Sequence, residues 1–333
     1  MRSVDLEGLA LTASRATPRM GNGPLQGPER EQVIPMARIL NFGSLNIDYV
    51  YGVSHMVAPG ETLAARDRSV YPGGKGLNQS VALARAGAAV WHAGMVGPEG
   101  DFLLDVCRES GVGVEFVRRT EVPTGHTVIQ VDDEGQNSIL LFGGANREID
   151  EPFADEVLSH FGAGDYIVLQ NETSCLAHIV DAAHERGLVV VLNPSPYNSD
   201  LDEVDMGKVS LFLLNEVEGA QVAGGSADPD DVLGALAALY PSARVVLTLG
   251  TRGSIYQGPG GSDRHVQPIY RVSAVDTTAA GDTFTGYFVA SISAGEPVEV
   301  ALDRAARASA IAVTRHGAVP SIPTADEVAS FIS

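Results

Sequence analysis

Uninterrupted apolar runs, each followed by a stretch with helical patterning, constrain this chain more than any other feature. The clearest is Leu188-Val189-Val190-Val191-Leu192. A strand that is apolar on both faces suits a parallel sheet covered by helices on both sides. Comparable runs occur at 39–42, 90–96, 166–169, 210–214 and 245–249. Helical stretches follow at 74–86, 102–109, 177–185 and from about Glu216, and three more close the chain near 282–293, 297–314 and 324–332. This alternation implies βαβ units, whose ligands bind beyond the carboxyl ends of the strands. Two β-rich segments, about 46–71 and 112–142, interrupt the alternation. The second contains a hairpin, 127–131 and 138–142, around the polar turn 132–137. Together they are expected to form a small sheet, a lid over the cleft. The predicted fold class is α/β, a three-layer sandwich with a mostly parallel central sheet.

With 333 residues and 44% hydrophobic content, the chain can fill one large core. Its net charge of −20 argues against nucleic acid and against an anionic membrane, both of which call for a basic face. An acidic protein that binds phosphate must supply positive potential locally, through amides, a few Lys or Arg, and Mg²⁺. Cys107 and Cys175 are far apart and read as reduced core thiols of a cytoplasmic protein. The eight histidines show no metal-binding spacing. No apolar run approaches the ~20 residues of a membrane span. Residues 1–36, rich in Gly, Pro, Arg and Glu, lack a continuous apolar signal region and read as a flexible extension. The folded domain is then 37–333.

The strongest local signal is Asp276-Thr277-Thr278-Ala279-Ala280-Gly281-Asp282-Thr283-Phe284. Small residues at 279–281 let a ligand approach the backbone, and Gly281 is free to take dihedrals that other residues avoid. An amphipathic helix follows, so its unpaired N–H groups and its dipole make an anion cradle. Asp282 sits at the mouth of that cradle, where a carboxylate can take a proton from an attacking hydroxyl. A second signal is Pro72-Gly73-Gly74-Lys75-Gly76-Leu77-Asn78-Gln79. It is not a Walker A loop, because Ser69 and Gly76 occupy positions where that loop needs Gly and Ser/Thr. Its glycines allow close approach to a polyol, and Asn78 offers both donor and acceptor to hydroxyls. Asn46-Ile47-Asp48 adds an amide and an acid at a strand end that can grip vicinal hydroxyls, although taken alone the motif favours a simple Asx-turn.

Taken together, these strings resemble the ribokinase-like (PfkB) carbohydrate kinases over about 37–333. The resemblance implies the ribokinase-like fold and ATP-dependent phosphorylation of a sugar primary hydroxyl, with O5 of D-ribose the first expectation. A nucleoside, deoxyribose or fructose is the alternative acceptor, and a non-catalytic sugar or nucleotide binder is a further one. By position, Asn46, Asp48, Gly74, Lys75, Asn78 and Glu172 would lie at the sugar with Asp282. Asn215 would lie near the phosphates, and Glu218 would act on Mg²⁺ through water. Thr248, Gly250 and Gly253 would belong to the ATP loop. Ala279, Ala280 and Gly281 would form the anion hole and Asp282 would be the base. Asp276, Thr278, Ala312, Gly317 and Ser321 align with a monovalent-cation site, where K⁺ would order the anion hole. A homodimer through the lid is also implied, and an exposed sheet has edges to cover. Taken singly, Asn215–Glu218 could only begin a helix, 248–253 could be an ordinary turn, and Glu172 could neighbour a helix cap. Leu77 stands where the family's ribose enzymes have a smaller Ala beside Asn78, which is expected to bear on acceptor choice. No adenine-contacting residue is recognisable around Arg307.

Overall fold

The structure, a computed structural model, describes residues 37–332; the expected extension at 1–36 lies outside the described residues. The chain opens with β1 (Ile39–Phe42), then β2 (Asn46–Gly52), β3 (Asp67–Gly73) and α1 (Lys75–Arg85). There follow β4 (Val90–Val96), α2 (Asp101–Glu109), β5 (Gly113–Arg119), β6 (Gly125–Val131), β7 (Asn137–Phe142) and α3 (Glu151–Leu158). The middle is β8 (Tyr166–Gln170), α4 (Leu176–Glu185), β9 (Val189–Asn193), β10 (Leu211–Asn215), α5 (Glu216–Ala223) and α6 (Pro229–Leu239). The chain closes with β11 (Arg244–Thr248), β12 (Ser254–Gln257), β13 (His265–Gln267), α7 (Ala280–Ser293), α8 (Val298–Ala312) and α9 (Ala325–Ser330).

The large sheet has the order β13-β12-β11-β10-β9-β8-β1-β4-β5. Its pairings from β5 to β11 are parallel, and β12 and β13 return antiparallel. Two apolar layers cover it, as strands apolar on both faces require. Side chains alternate along a strand, so Val190 and Leu192 of β9 join one layer and Val191 the other. The first layer contains α3, α4 and α6; the second contains α1, α2, α7, α8 and α9. The polar residues Asn41 and His92 sit at neighbouring positions of β1 and β4, in register and fully buried.

The small sheet has the order β3-β2-β6-β7, with β2 and β6 parallel and the outer pairs antiparallel. The expected lid segment 112–142 is corrected in one respect. β5 pairs parallel with β4 at the edge of the large sheet, because β4, α2 and β5 form a βαβ unit. Only β6 and β7 of that segment enter the small sheet. On β7, Ile139, Leu140, Leu141 and Phe142 are exposed, as are Val70 and Tyr71 of β3.

Candidate active site

α1 starts where β3 ends, and three separate constraints exclude side chains at Gly73, Gly74 and Gly76. A Cβ on Gly73 would lie 2.1 Å from Asp48 Oδ2, and one on Gly76 would lie 2.3 Å from the Ser44 nitrogen. Gly74, at the helix N-terminus, has φ 95°, a left-handed value that favours glycine. These approaches seat Asp48 against the loop, where Thr127 Oγ1 donates to its Oδ1 at 2.6 Å. From the end of β8, Glu172 Oε2 accepts the Lys75 N–H at 3.0 Å and the Ser44 hydroxyl. Asn78, one turn into α1, donates to Asp282 Oδ2 at 3.0 Å. Its own Oδ1 is buried without a partner. Asp48, Gly74, Lys75, Asn78, Glu172 and Asp282 are thus linked through direct contacts or adjacent backbone. Asn46 is different. It is buried, and its Oδ1 accepts from Asn146 Nδ2 at 2.7 Å.

Leu77 is fully buried in the second apolar layer. Successive helical residues point about 100° apart, so Leu77 faces the core while Asn78 faces Asp282. The expected influence of Leu77 on acceptor choice is therefore withdrawn.

α7 carries the 276–284 string. Ala279 is its N-cap and takes the left-handed conformation, φ 57°. The unusual dihedral belongs to Ala279, not to Gly281 as the sequence suggested. Gly281 instead leaves open space: a Cβ there would meet nothing within 4 Å. Ala280 N–H donates to Thr277 O at 3.3 Å, whereas the Gly281 and Asp282 amides lie in the first turn, where no intrahelical acceptor exists.

Beside them lies a cavity of about 270 Å³, lined by Lys75, Asn193, Asn215, Glu218, Thr277 and Asp282 among others. Asn215 and Glu218 form a capping box: Asn215 Oδ1 accepts the Glu218 amide at 2.9 Å and Glu218 Oε2 accepts the Asn215 amide at 3.0 Å. The bland reading of this pair as a helix start is correct, yet both residues also line the cavity. Burial works to lower the Lys75 ammonium, but Asp282, Glu172 and Glu218 outweigh it and hold it above the ordinary lysine value. Burial raises both Asp48 and Glu172 above the usual carboxylate range. The Thr127 bond opposes this at Asp48, and Lys75 and Ser44 oppose it at Glu172.

An adjoining cavity of about 680 Å³ is lined by Thr248, Gly250, Gly253, Ala280 and Gly281 and by apolar residues from distant segments, including Ile269, Val272, Phe284 and Val313. Only Phe284 was marked in the sequence, as an apolar residue of the helix after the 276–281 turn; nothing singled out Ile269, Val272 and Val313, which join it only in the fold. Arg307 is engaged with Asp303 and the Phe331 carbonyl. Asp276 accepts the Thr278 amide and hydroxyl at 2.9 and 2.6 Å and the Gly317 amide at 2.9 Å. Despite burial, these bonds hold its carboxyl below the ordinary value. Ala312 O instead accepts from Arg315 N, and the Ser321 hydroxyl donates to Ala318 O. Among the described residues no three His, Cys, Asp or Glu side chains cluster as a metal site.

Comparison with known proteins agrees with the fold. A model of the pfkB family carbohydrate kinases matches residues 36–325, and the chain belongs to this family of ATP-dependent carbohydrate kinases. Over 298 residues it is 33% identical to the ribokinase of Haemophilus influenzae, covering 87% of this chain and 96% of that protein. The ribokinase structure from Thermotoga maritima is similar with a TM-score of 0.80 and 31% identity, covering 88% of this chain and 98% of that one. The Arabidopsis thaliana ribokinase complexed with ribose and ATP is similar with a TM-score of 0.76 and 28% identity, covering 88% and 97%.

Proposed function

We propose that this protein transfers the γ-phosphoryl group of ATP to O5 of D-ribose, with Asp282 as the base. The observation that carries this reading is the buried contact between Asn78 and Asp282. It joins the polyol-binding loop to the first turn of α7, where the open amides of Gly281 and Asp282 face the cavity. Asp48, Glu172 and Asn78 hold the sugar hydroxyls. Asp282 orients the attacking hydroxyl and accepts its proton. Phosphoryl transfer then depends mainly on placement and charge stabilisation. The open amides of Gly281 and Asp282 and the Lys75 ammonium meet the negative charge of the transferred group, while the Ala280 amide of the expected anion hole is bonded to Thr277 O. The larger cavity takes the nucleoside, with Thr248, Gly250 and Gly253 on its polar side.

The donor set fits Mg²⁺ bound through water. Glu218 lines the cavity, and its Oε2 is committed to the Asn215 amide and Asn193, while its Oε1 has no hydrogen-bond partner among the described residues. When bound, Mg²⁺ would neutralise phosphate oxygens. Asp276, in the turn beside the cradle, would be one ligand of K⁺, with Thr278 and Gly317 hydrogen-bonded to it; Ala312 O and the Ser321 hydroxyl would have to leave Arg315 N and Ala318 O to join. The exposed apolar strand β7 supports a homodimer through the small sheet. Two free cysteines, one of them buried, suit a cytoplasmic enzyme. Among the described residues no helix is long and apolar enough to cross a membrane.

The test is ATP turnover on D-ribose, with and without K⁺, beside deoxyribose, fructose and adenosine, with the product identified. K⁺-stimulated formation of ribose 5-phosphate by a dimeric preparation is expected. Turnover confined to another acceptor would overturn the substrate assignment.

A pH dependence follows from the acids at the sugar. The ionised forms of Asp48 and Glu172 accept hydrogen bonds from the sugar hydroxyls at both oxygens; protonation removes the charge and part of that acceptor capacity. Because both titrate above their ordinary values, KM for the sugar should rise on acidification before pH reaches the usual carboxylate value of about 4. A KM that stays flat to that point would separate these two acids from the sugar.

A further inference from the structure

Gln79 is the one fully buried polar residue of the 72–79 loop that the proposed chemistry leaves unused. Its Nε2 donates to Asp282 Oδ1 at 2.9 Å and to Asn193 Oδ1 at 3.2 Å. Its Oε1 accepts from Gln170 Nε2 at 2.7 Å. Asn193 Nδ2 in turn donates to Glu218 Oε2 at 3.3 Å. A single side-chain amide thus bridges the carboxylate of Asp282 and the pair Asn193–Glu218.

The direction of that amide is determined from behind. Asn41 Nδ2 donates to the Gly76 carbonyl at 2.7 Å, and a carbonyl can only accept. Asn41 Oδ1 therefore faces Gln170, which must present its NH₂ group, at 3.0 Å. The other hydrogen of that group meets Gln79 Oε1, so the Gln79 NH₂ group must point at Asp282. Asn41 Nδ2 also donates to Ser80 Oγ at 2.8 Å. The single Ser80 proton then goes to His92 Nδ1 at 2.8 Å, leaving His92 Nε2–H for the Gly43 carbonyl at 3.1 Å. Gln79, Gln170, Asn41, Ser80 and His92 are all buried. Gln170 Oε1 is left without a partner. A buried network with an unsatisfied member costs stability relative to apolar packing, so stability alone does not account for it.

We propose that Gln79 is a positioning residue that holds the Asp282 carboxylate in register with Asn193 and Glu218. The inference rests on the reading of Asp282 as the base. When Asn78 turns to a sugar hydroxyl, Gln79 keeps the second carboxylate oxygen in place.

The experiment compares Gln79→Met, Gln170→Met and Asp282→Ala with the native full chain, measuring kcat, both KM values and thermal stability. Methionine keeps the length of glutamine without its hydrogen bonds. Gln79→Met should lower kcat roughly 10- to 100-fold, as misplacement of a reacting group does, with KM for sugar and ATP within about 2-fold. Gln170→Met, which touches no reacting atom, should lower kcat in the same direction by a smaller factor. A native kcat in Gln79→Met overturns the inference, as does a change confined to KM. Failure of both methionine variants to fold would assign the network a structural role and also overturn it. If Asp282→Ala stays active, the base assignment has failed instead; if it is inactive beside a native-like Gln79→Met, only the role of Gln79 falls.

Discussion

Asp282→Ala is expected to lower kcat by roughly 10²- to 10⁴-fold, the usual contribution of a positioned general base. Sugar binding should change little. Asp48 and Glu172 are held by Thr127, Ser44 and the Lys75 amide, none of which depends on Asp282. The substitution does free the Asn78 Nδ2 group and one of the two donor contacts of Gln79. Asn78 can then turn to the sugar, and Gln79 keeps Asn193. Calorimetric titration with the sugar, alongside single-turnover kinetics with ATP, separates the two effects. A variant with near-native kcat would show that the proton is taken elsewhere; one that no longer binds sugar would make Asp282 a sugar ligand first.

The second large effect concerns acid stability and centres on His92. This imidazole is fully buried, and burial pushes it down to about 4, only partly opposed by its bond to the Gly43 carbonyl. In the unfolded chain it titrates near its ordinary value of about 6.5. Between these values the unfolded chain binds more protons, so stability falls as pH is lowered through this window. The contribution is complete above about pH 6.5 and is lost progressively toward pH 4. At about 1.4 kcal/mol per unit, the whole window amounts to roughly 3 kcal/mol. Urea unfolding at pH 7 and at pH 5 checks it. His92→Asn should be less stable than the native chain at pH 7, and its stability should fall less between the two values. Parallel losses in both proteins would locate the acid sensitivity in other groups.

The two halves of the site differed in how far they could be read in advance. The local form of the 276–284 string was legible because it rests on neighbours within one helical turn. One turn of helix supplies the open amides and the carboxylate, and small residues clear the space above them. The glycines of 73–76 were legible as a place of close approach, though each has its own reason: Asp48 for Gly73, backbone conformation for Gly74, and the 43–44 segment for Gly76. Leu77 was misread because a residue beside a binding residue in sequence lies about 100° away from it on a helix. β5 was misread as part of the lid because a short β-rich run does not state its partner. Gln79 was read as part of the 72–79 string but given no role, as were Gln170 and Asn193, because a buried amide's partners leave no local pattern; their contacts join positions 91 to 203 residues apart.

Sequence by itself determined the α/β alternation, the hairpin of the small sheet and the string that opens α7, and with them the family. Those features depend on periodicity and on neighbours within a few residues. Only the tertiary structure decided which carboxylates share the cleft, what shapes the larger cavity, and which amide faces Asp282. Such choices are made by burial, since a polar group removed from water must find its partner wherever the fold brings one.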